Sequence, residues 1–469
     1  MKTTKFFFMA ALALTFTACS NDDFAEQPAE QPSDKMITIT AQLAPKGNDG
    51  MRAVADNGDD KITVTWAVDE HLAILYTKDG NQMADAEITA VDGSGNATIT
   101  FSVVDGTPDD TDCTIIYPYS AAKEDKTGLK DNTTLLANQS GRLSAKLDVR
   151  VGAGKIQTST PGLDVTTQPA AQFAIWKLTL SPHSAEALYI TVDGKLIAGA
   201  NYGTTINEFT VAVPAVSSKT VSVVAVDNTD CYYYSKSGVT LAAGNYYKSP
   251  VTINDVGTAS TAPVYKVTDS DYTWIDDGKT VVFSGFTNNN GIYCDGDVTI
   301  ILAGNNTVYG GSGFGCPAIG AGSSGTTLTI TGTGQLTATG GPDCAAIGSG
   351  SGSTCGNIII CGGMIEATGG GNPMYPADFG AGIGAGYYGN CGDITITGRI
   401  VTAISRNLSP IGKGSGSSCG KITFGSEQVY DGSNWLKTME SGTTYGGLML
   451  GIGKANVDGD TWTLLSIAP

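Results

Sequence analysis

The residues best suited to chemistry in this 469-residue chain are its ten cysteines and two histidines. Thiolates and imidazoles are the usual ligands of zinc. However, no two cysteines have the CxxC spacing, and neither His71 nor His183 has a cysteine close to it in sequence. The sequence therefore does not predict a zinc site. Apart from Cys19, nine cysteines remain, an odd number that cannot all pair within one chain.

Carboxylates are the second group of candidate catalytic residues, and the reactions they could catalyse are the hydrolysis or elimination of polysaccharides. Hydrolysis needs two carboxylates across the glycosidic bond, and elimination needs a base, often with calcium held by acidic side chains. No acidic cluster recurs at one position of three successive repeats, so no catalytic residue is assigned. Asp295 and Asp297 are weak calcium candidates outside any EF-hand pattern, and no other cofactor is expected.

Composition excludes several classes of partner. The net charge is −18, which disfavours nucleic acid and an anionic membrane face, because both attract clustered Lys and Arg. Charged residues make up only 15% of the chain and 62 residues are glycine, which argues against a coiled coil or a helical protein.

The N-terminus has the composition of a targeting segment. Lys2 and Lys5 precede an apolar run over 6–16 that is too short to span a bilayer, and a small residue stands before Cys19. This arrangement resembles a bacterial lipoprotein signal, which implies a signal peptide over 1–18 and a lipid anchor on Cys19. The acidic residues after Cys19 resemble the surface-export signal of Bacteroidetes lipoproteins, and 19–35 is predicted to be a disordered tether. The expected location is the cell outer membrane, exposed at the surface. The alternative is an ordinary signal peptide with a cysteine there by chance.

The elements between residues 36 and 255 are predicted to be short antiparallel strands. Apolar and polar residues alternate in segments such as 36–40, 61–66 and 221–226, and Gly, Asp and Asn clusters separate these segments. This pattern is typical of β-sandwiches. We predict one sandwich over 36–140 and a second over 141–255.

Three segments of this region carry a family resemblance: 65–76, which begins with Thr65 and Trp66, 173–178 and 241–247. The first is similar to the "TW…D.I.ly" segment of fimbrillin-like proteins of Bacteroidetes, and the other two resemble the second domain and the closing strand of that family. The resemblance covers about residues 1–255. It implies two transthyretin-like sandwiches, a role in pili or adhesion, and a protease cut after an arginine that opens a groove for a neighbour's donor strand. Arg52 matches that arginine; the alternative is an ordinary loop arginine.

The C-terminal part contains an internal repeat. Ile319, Ile347, Ile383 and Ile411 lie in similar Gly-rich segments and are separated by 28, 36 and 28 residues. Cys355, Cys391 and Cys419 form a second column with spacings of 36 and 28. Short strands between glycines, without a helix, predict a β-solenoid over 262–425, in the form of a short right-handed parallel β-helix with stacked isoleucines and cysteines inside.

We interpret the cysteine column as structural, because cysteine is a small residue that is frequently buried. Residues 426–469 leave the repeat and are predicted to cap the last coil through Trp435, Leu448, Trp462 and Leu464.

The aromatic residues near an eight-residue insertion are the candidate ligand-binding residues. Such insertions usually map to the binding face of a repeat protein, and the candidates are Tyr375, Phe379, Tyr387 and Tyr388. The alternative is that these rings cover the flank of the solenoid. The sequence as a whole favours a surface or pilus-tip adhesin, in which the sandwiches present a solenoid that binds glycan or a protein. A surface-anchored polysaccharide lyase or glycoside hydrolase and a purely structural pilus subunit are the alternatives.

Overall fold

The computed structural model describes residues 36–46, 65–139, 148–268, 273–312, 315–371, 379–398, 400–405, 410–437, 439–445, 448–457 and 460–468. The chain is all-β, with 60% strand and almost no helix, as the sequence predicted. In the described part of the chain, no helix has the length and apolar character needed to cross a membrane.

The first domain is one seven-stranded antiparallel sheet. Its strand order is β1-β4-β3-β2-β5-β6-β7, and the edge strands β1 and β7 contact each other, so the sheet curls around its own core. Strict alternation of buried and half-buried residues in β4 and β6 reflects the two-residue period of a strand with one face inside. The elements are β1 (Met36–Leu43), β2 (His71–Thr77), β3 (Asn81–Val91), β4 (Ala97–Val104), β5 (Thr111–Tyr117), a 3-10 turn (Tyr119–Ala121), β6 (Arg150–Gln157) and β7 (Gly162–Ala171). The short helix α1 (Asn132–Leu136) lies between β5 and β6 in the chain but packs on the second domain through Leu136.

The position of β6 and β7 differs from the predicted division at residue 140. Both strands fall in the range 141–255 that the sequence assigned to the second sandwich, yet β6 pairs with β5 and β7 pairs with β6. Alternation alone could not reveal this, because a strand pattern shows which face is buried and not which sheet the strand joins.

The second domain is a sandwich of two sheets. A five-stranded sheet, β10-β9-β12-β13-β15, packs on a three-stranded sheet, β11-β8-β14, in which β14 runs parallel to β8. The strands are β8 (Phe173–Ser181), β9 (Ala185–Val192), β10 (Lys195–Ile206), β11 (Glu208–Pro214), β12 (Val216–Asp227), β13 (Asp230–Leu241), β14 (Tyr246–Thr252) and β15 (Asn254–Asp255).

The C-terminal domain is built of parallel coils with three faces. We call them the docked face (β16-β18-β21-β24-β27-β31-β35-β36), the narrow face (β17-β20-β23-β26-β29-β33) and the hairpin face (β19-β22-β25-β28-β32-β39-β38-β37). The strands are β16 (Val264–Lys266), β17 (Thr273–Asp276), β18 (Lys279–Ser284), β19 (Thr287–Asn288), β20 (Ile292–Asp295), β21 (Val298–Ala303), β22 (Asn305–Tyr309), β23 (Ile319–Gly320), β24 (Thr327–Gly332), β25 (Gln335–Thr339), β26 (Ile347–Gly348), β27 (Asn357–Ile360), β28 (Met364–Thr368), β29 (Ile383–Gly384), β30 (Asn390–Cys391), β31 (Ile394–Ile396), β32 (Val401–Ser405), β33 (Ile411–Gly412), β34 (Ser418–Cys419), β35 (Ile422–Phe424), β36 (Glu427–Tyr430), β37 (Thr444–Tyr445), β38 (Leu448–Val457) and β39 (Asp460–Ala468).

The isoleucine column lies where the repeat spacing predicted it. Ile319 pairs with Ile347, Ile347 with Ile383, and Ile383 with Ile411, all in parallel register. All four are at most 1% exposed and belong to the solenoid core. Each coil thus buries its apolar residues against the next coil.

The last coil is closed by antiparallel strands. β36 folds back on β35, and the hairpin β38–β39 continues the hairpin face by pairing with β32. Leu448 is buried in the solenoid core, whereas Trp435 is 42% exposed and lies 5.2 Å from the ring of Tyr430. Leu464 is half-buried, and the side chain of Trp462 lies outside the described residues.

The docked face of the solenoid packs along the five-stranded sheet of the second domain. Val224 and Tyr189 from the sandwich meet Val282 and Ile301 from the solenoid in one buried apolar cluster. Gly194 lies so close to the solenoid that a Cβ on it would be 1.9 Å from the Gly278 carbonyl oxygen. The two domains therefore lie side by side, and β9 and β12 are buried on both faces.

Candidate functional site

A groove opens between the two sheets of the second domain. It runs between β13 and β14 and has a volume of about 460 Å³. We call it the strand groove; its lining residues are Trp176, Val221, Tyr234, Lys236, Gly238, Val239, Thr240, Leu241, Tyr247, Lys248, Ser249, Pro250 and Val251.

The floor of the strand groove is apolar and its rim is polar. Trp176, Val221, Leu241 and Val251 are buried beneath it, whereas Val239 is only half-buried. A half-exposed valine above buried apolar side chains gains burial when an apolar side chain enters from outside. Such a groove suits a ligand that inserts alternate apolar residues.

Hydrogen bonds fix the shape of the groove. The Trp176 indole Nε1 donates to Ser249 Oγ at 3.0 Å, and the Tyr247 hydroxyl accepts from the Ala242 amide at 2.9 Å. These bonds orient both rings, because rotation of either ring would break the hydrogen bond of its polar atom. The groove is therefore preformed.

Beside the groove, β14 offers a free strand edge. It is the last strand of the three-stranded sheet, and no other described strand pairs with its outer side. An edge strand presents unpaired N–H and C=O groups to any extended chain of matching register. Pro250 removes one donor from this edge, which fits the restriction of proline to edge strands.

Three of the residues selected from the sequence lie outside the described residues: the lipidation candidate Cys19, the processing candidate Arg52 and the ligand-binding candidate Tyr375. Phe379 is described and is 8% exposed, so its ring does not form a binding platform.

Tyr387 and Tyr388 lie together on the solenoid. Their ring centroids are 4.5 Å apart and the planes are nearly perpendicular, at 74°. Tyr388 is 64% exposed and packs over Gly416 of the next coil, where a Cβ would be 2.9 Å from its ring. Of the aromatic candidates that the structure describes, Tyr388 is the one that presents a ring to solvent.

The calcium candidates lie at a corner where carboxylates bind the backbone instead. Asp297 Oδ1 accepts from the Thr327 amide at 2.7 Å, and Asp393 Oδ1 accepts from the Lys421 amide at 2.8 Å. Asn357 Oδ1 likewise accepts a hydrogen bond from the Asp393 amide at 2.9 Å. This ladder connects successive coils, and the sequence signal for it is an Asp directly before β21 and β31 and an Asn as the first residue of β27. Across the described residues, no three His, Cys, Asp or Glu side chains converge on a metal site.

The cysteine column is buried and its thiols are free. Cys391 pairs with Cys419 in parallel register. A hydrogen bond with Cys355, together with burial, raises the pKa of the Cys391 thiol, and burial raises the pKa of Cys419 to about 12. Since the thiolate is the reactive form, the Cys391 and Cys419 thiols are poor nucleophiles and ligands at neutral pH.

Two solved structures are similar to part of this chain at low sequence identity. No protein-family model matches the chain, and no curated protein matches it. A fimbrial protein from Bacteroides ovatus is 13% identical, with a TM-score of 0.26, over 46% of this chain and 49% of that one, so this chain spans about half the length of that protein. A fimbrial assembly protein from Parabacteroides distasonis is 11% identical, with a TM-score of 0.26, over 46% of this chain and 91% of that one.

Proposed function

We propose that this protein is a cell-surface adhesion or fimbrial subunit whose second domain accepts an extended strand of a neighbouring subunit in the strand groove. The observation that carries this proposal is an apolar groove directly beside the free edge of β14. Backbone hydrogen bonds to the edge supply affinity, and alternate side chains in the groove supply specificity, as in other cases of β-strand addition.

Anchoring and processing complete the proposal. A lipid on Cys19 holds the chain at the outer membrane with its sandwiches and solenoid outside the cell, and cleavage after Arg52 prepares it for assembly. We assign the coils of 262–425 the right hand, the usual hand of parallel β-crossovers.

The test is the assembly of the full chain with Val239→Asp in the groove. A carboxylate beside the apolar floor opposes entry of an apolar side chain, because burying an unpaired charge is costly. We expect a ladder of oligomers on native gels for the wild type and a strong loss of that ladder in the variant. Val165→Asp, at a half-buried valine of β7 in the first domain, is the matched control and should retain the ladder. Equal assembly of both variants, or no assembly of the wild type once it has been cleaved after Arg52, would contradict strand uptake.

A second role, binding of glycan by the solenoid, is favoured by Tyr388 alone. An exposed ring held against a glycine of the next coil offers a flat apolar face, which suits stacking on a sugar ring. Affinity electrophoresis of the full chain against acidic and neutral polysaccharides, with an assay for new reducing or unsaturated ends, tests it. Retention that Tyr388→Ala abolishes supports glycan binding, whereas released product supports a polysaccharide-degrading enzyme. If neither retention nor product is found, a protein partner or a structural role is the better explanation of the solenoid.

A further inference from the structure

A buried cluster of charges lies at one end of the first domain. Lys46 follows β1, and its side chain is 1% exposed. Its Nζ lies 3.2 Å from Glu70 Oε2 and 3.4 Å from Asp148 Oδ2. Arg150 Nε donates to Asp148 Oδ1 at 2.8 Å, and both of these side chains are under 10% exposed. We call Lys46, Glu70, Asp148 and Arg150, with the rings of Trp66 and Tyr117, the lysine cluster.

Two aromatic rings shield the amine from water. Lys46 Nζ lies 3.8 Å from the ring centroid of Tyr117 and 4.3 Å from that of Trp66. The two rings meet edge to face with centroids 5.3 Å apart. Both are buried, at 1% and 3% exposure, and the Tyr117 hydroxyl donates to Glu70 Oε1. The amine and the Asp148 carboxyl are thus held together in a buried pocket.

This arrangement is costly as an ion pair. Two charges taken out of water lose hydration that their attraction repays only with excellent hydrogen bonding. Asp148 Oδ2 is buried and accepts no hydrogen bond from any described residue, although Lys46 Nζ faces it. Burial lowers the pKa of Lys46, against the opposite effect of the Asp148 and Glu70 carboxylates. A desolvated amine of this kind is a nucleophile.

We propose that Lys46 and Asp148 form an intramolecular amide bond, which the chain makes by itself on folding. Nζ of Lys46 attacks Cγ of Asp148, a C–N bond forms, and the bond from Cγ to Oδ2 breaks. The ammonium loses two protons, both of which leave with Oδ2 as one water molecule. The reaction is a condensation without net oxidation, so it needs no further reactant.

The neighbouring side chains have defined roles in this reaction. Glu70 contacts Nζ and accepts the protons that the amine must lose. Arg150 donates to Asp148 Oδ1, where negative charge develops in the tetrahedral intermediate, and so stabilises it. The product replaces two buried charges with a neutral amide. It joins the end of β1 to the residues just before β6, which are not neighbours in the sheet.

The decisive measurement is a tryptic peptide map of the full-length wild-type protein. Without the bond, trypsin cuts after Lys46 and releases 36–46 and 47–52 as separate peptides. With the bond, Lys46 resists cleavage, and 36–52 remains joined to 147–150 as a branched peptide lighter than the sum of its parts by one water molecule. Separate, unmodified peptides from the folded wild type would overturn the proposal whatever the variants do.

Two comparisons separate the reaction from mere proximity. Lys155 Nζ lies 3.1 Å from Asp112 Oδ1 on the surface, with 40% and 90% of the side chains exposed. This internal control should show no branched peptide. Glu70→Gln keeps the shape of the cluster but removes the base, so we expect at least a tenfold lower yield of the branched peptide with an unchanged circular dichroism spectrum. Wild-type yield in this variant would remove Glu70 from the reaction, and a Lys155 branch would show that closeness alone suffices.

Discussion

Burial of the thiol side chains links single residues to the stability of the whole chain. It raises the pKa of Cys294 and of Cys361 to about 12, from an ordinary value of 9. Both thiols stay protonated in the folded state at a pH where the unfolded chain ionises them. A folded-state pKa above the unfolded value gives stability that is complete below the unfolded pKa and falls as the pH rises through the window between the two.

We therefore predict that the unfolding free energy decreases between pH 9 and pH 12. Urea titrations at pH 8, 9 and 10 measure this decrease. Cys294→Ala should lower the unfolding free energy at every pH by about 1 to 2 kcal/mol, because it leaves a small cavity. In this variant the unfolding free energy should also fall less steeply with pH, because one titrating thiol is gone. The same pH dependence in the variant and the wild type would contradict the assignment to Cys294.

Among single residues, the sequence indicated the cysteine column but not the lysine cluster. The column repeats with the coils, and a repeated spacing reveals which residues stack. Lys46 and Asp148 lie in different segments with no repeat between them. Only the curling of the first sheet brings them together, and neither residue type nor spacing encodes that contact.

At the level of the strand, glycine sets how closely coils can stack. Gly348 has φ +141°, and a Cβ there would be 1.8 Å from the Gly384 carbonyl oxygen of the next coil. Gly352, at φ +65°, has nothing within 4 Å of its Cβ position. The first glycine is required by both space and conformation, and the second by conformation alone.

Gly348→Ala should cost about 2 to 5 kcal/mol of unfolding free energy, since it adds overpacking to an unfavourable φ. Gly352→Ala should cost only about 1 to 2 kcal/mol, the penalty for a left-handed conformation. Chemical denaturation of both variants measures the difference. A cost for Gly348→Ala no larger than that for Gly352→Ala would show that the coils are less tightly stacked than described.

The order of strands was predictable where the repeat fixed it and not elsewhere. The isoleucine spacing places β23, β26, β29 and β33 in one column. In contrast, β6 and β7 join the first sheet although nothing in their sequence distinguishes them from strands of the second domain. Pairing of distant strands depends on the packing of whole sheets, which a local pattern does not contain.

At the scale of the molecule, the second sandwich and the solenoid share a buried face. Val282 and Ile301 are 0% exposed, yet they point away from the solenoid core and into the sandwich. In sequence, β18 contains the uninterrupted apolar run 281–283 and β21 the run 300–303, and such runs are typical of strands buried on both sides. That signal was present, although it did not reveal which surface covers the second side.

We expect the two domains to unfold together. Val282→Asp places a carboxylate in the shared face and should lower the unfolding free energy by about 3 kcal/mol. It should also split the single calorimetric transition into two. Gln335→Asp, at an exposed position of the hairpin face between the uncharged Asn305 and Met364, is the control and should change stability by no more than about 0.5 kcal/mol. Two separate transitions already present in the wild type would show that the shared face does not couple the domains.

The place of Lys46 along the chain has a consequence for proteolysis. It stands six residues before Arg52, so an amide bond to Asp148 forms a covalent ring that contains Arg52. A protease that cuts after Arg52 opens this ring without dividing the molecule. The nicked protein would migrate as one species on a denaturing gel, whereas a nicked chain without the bond would separate into two pieces on that gel.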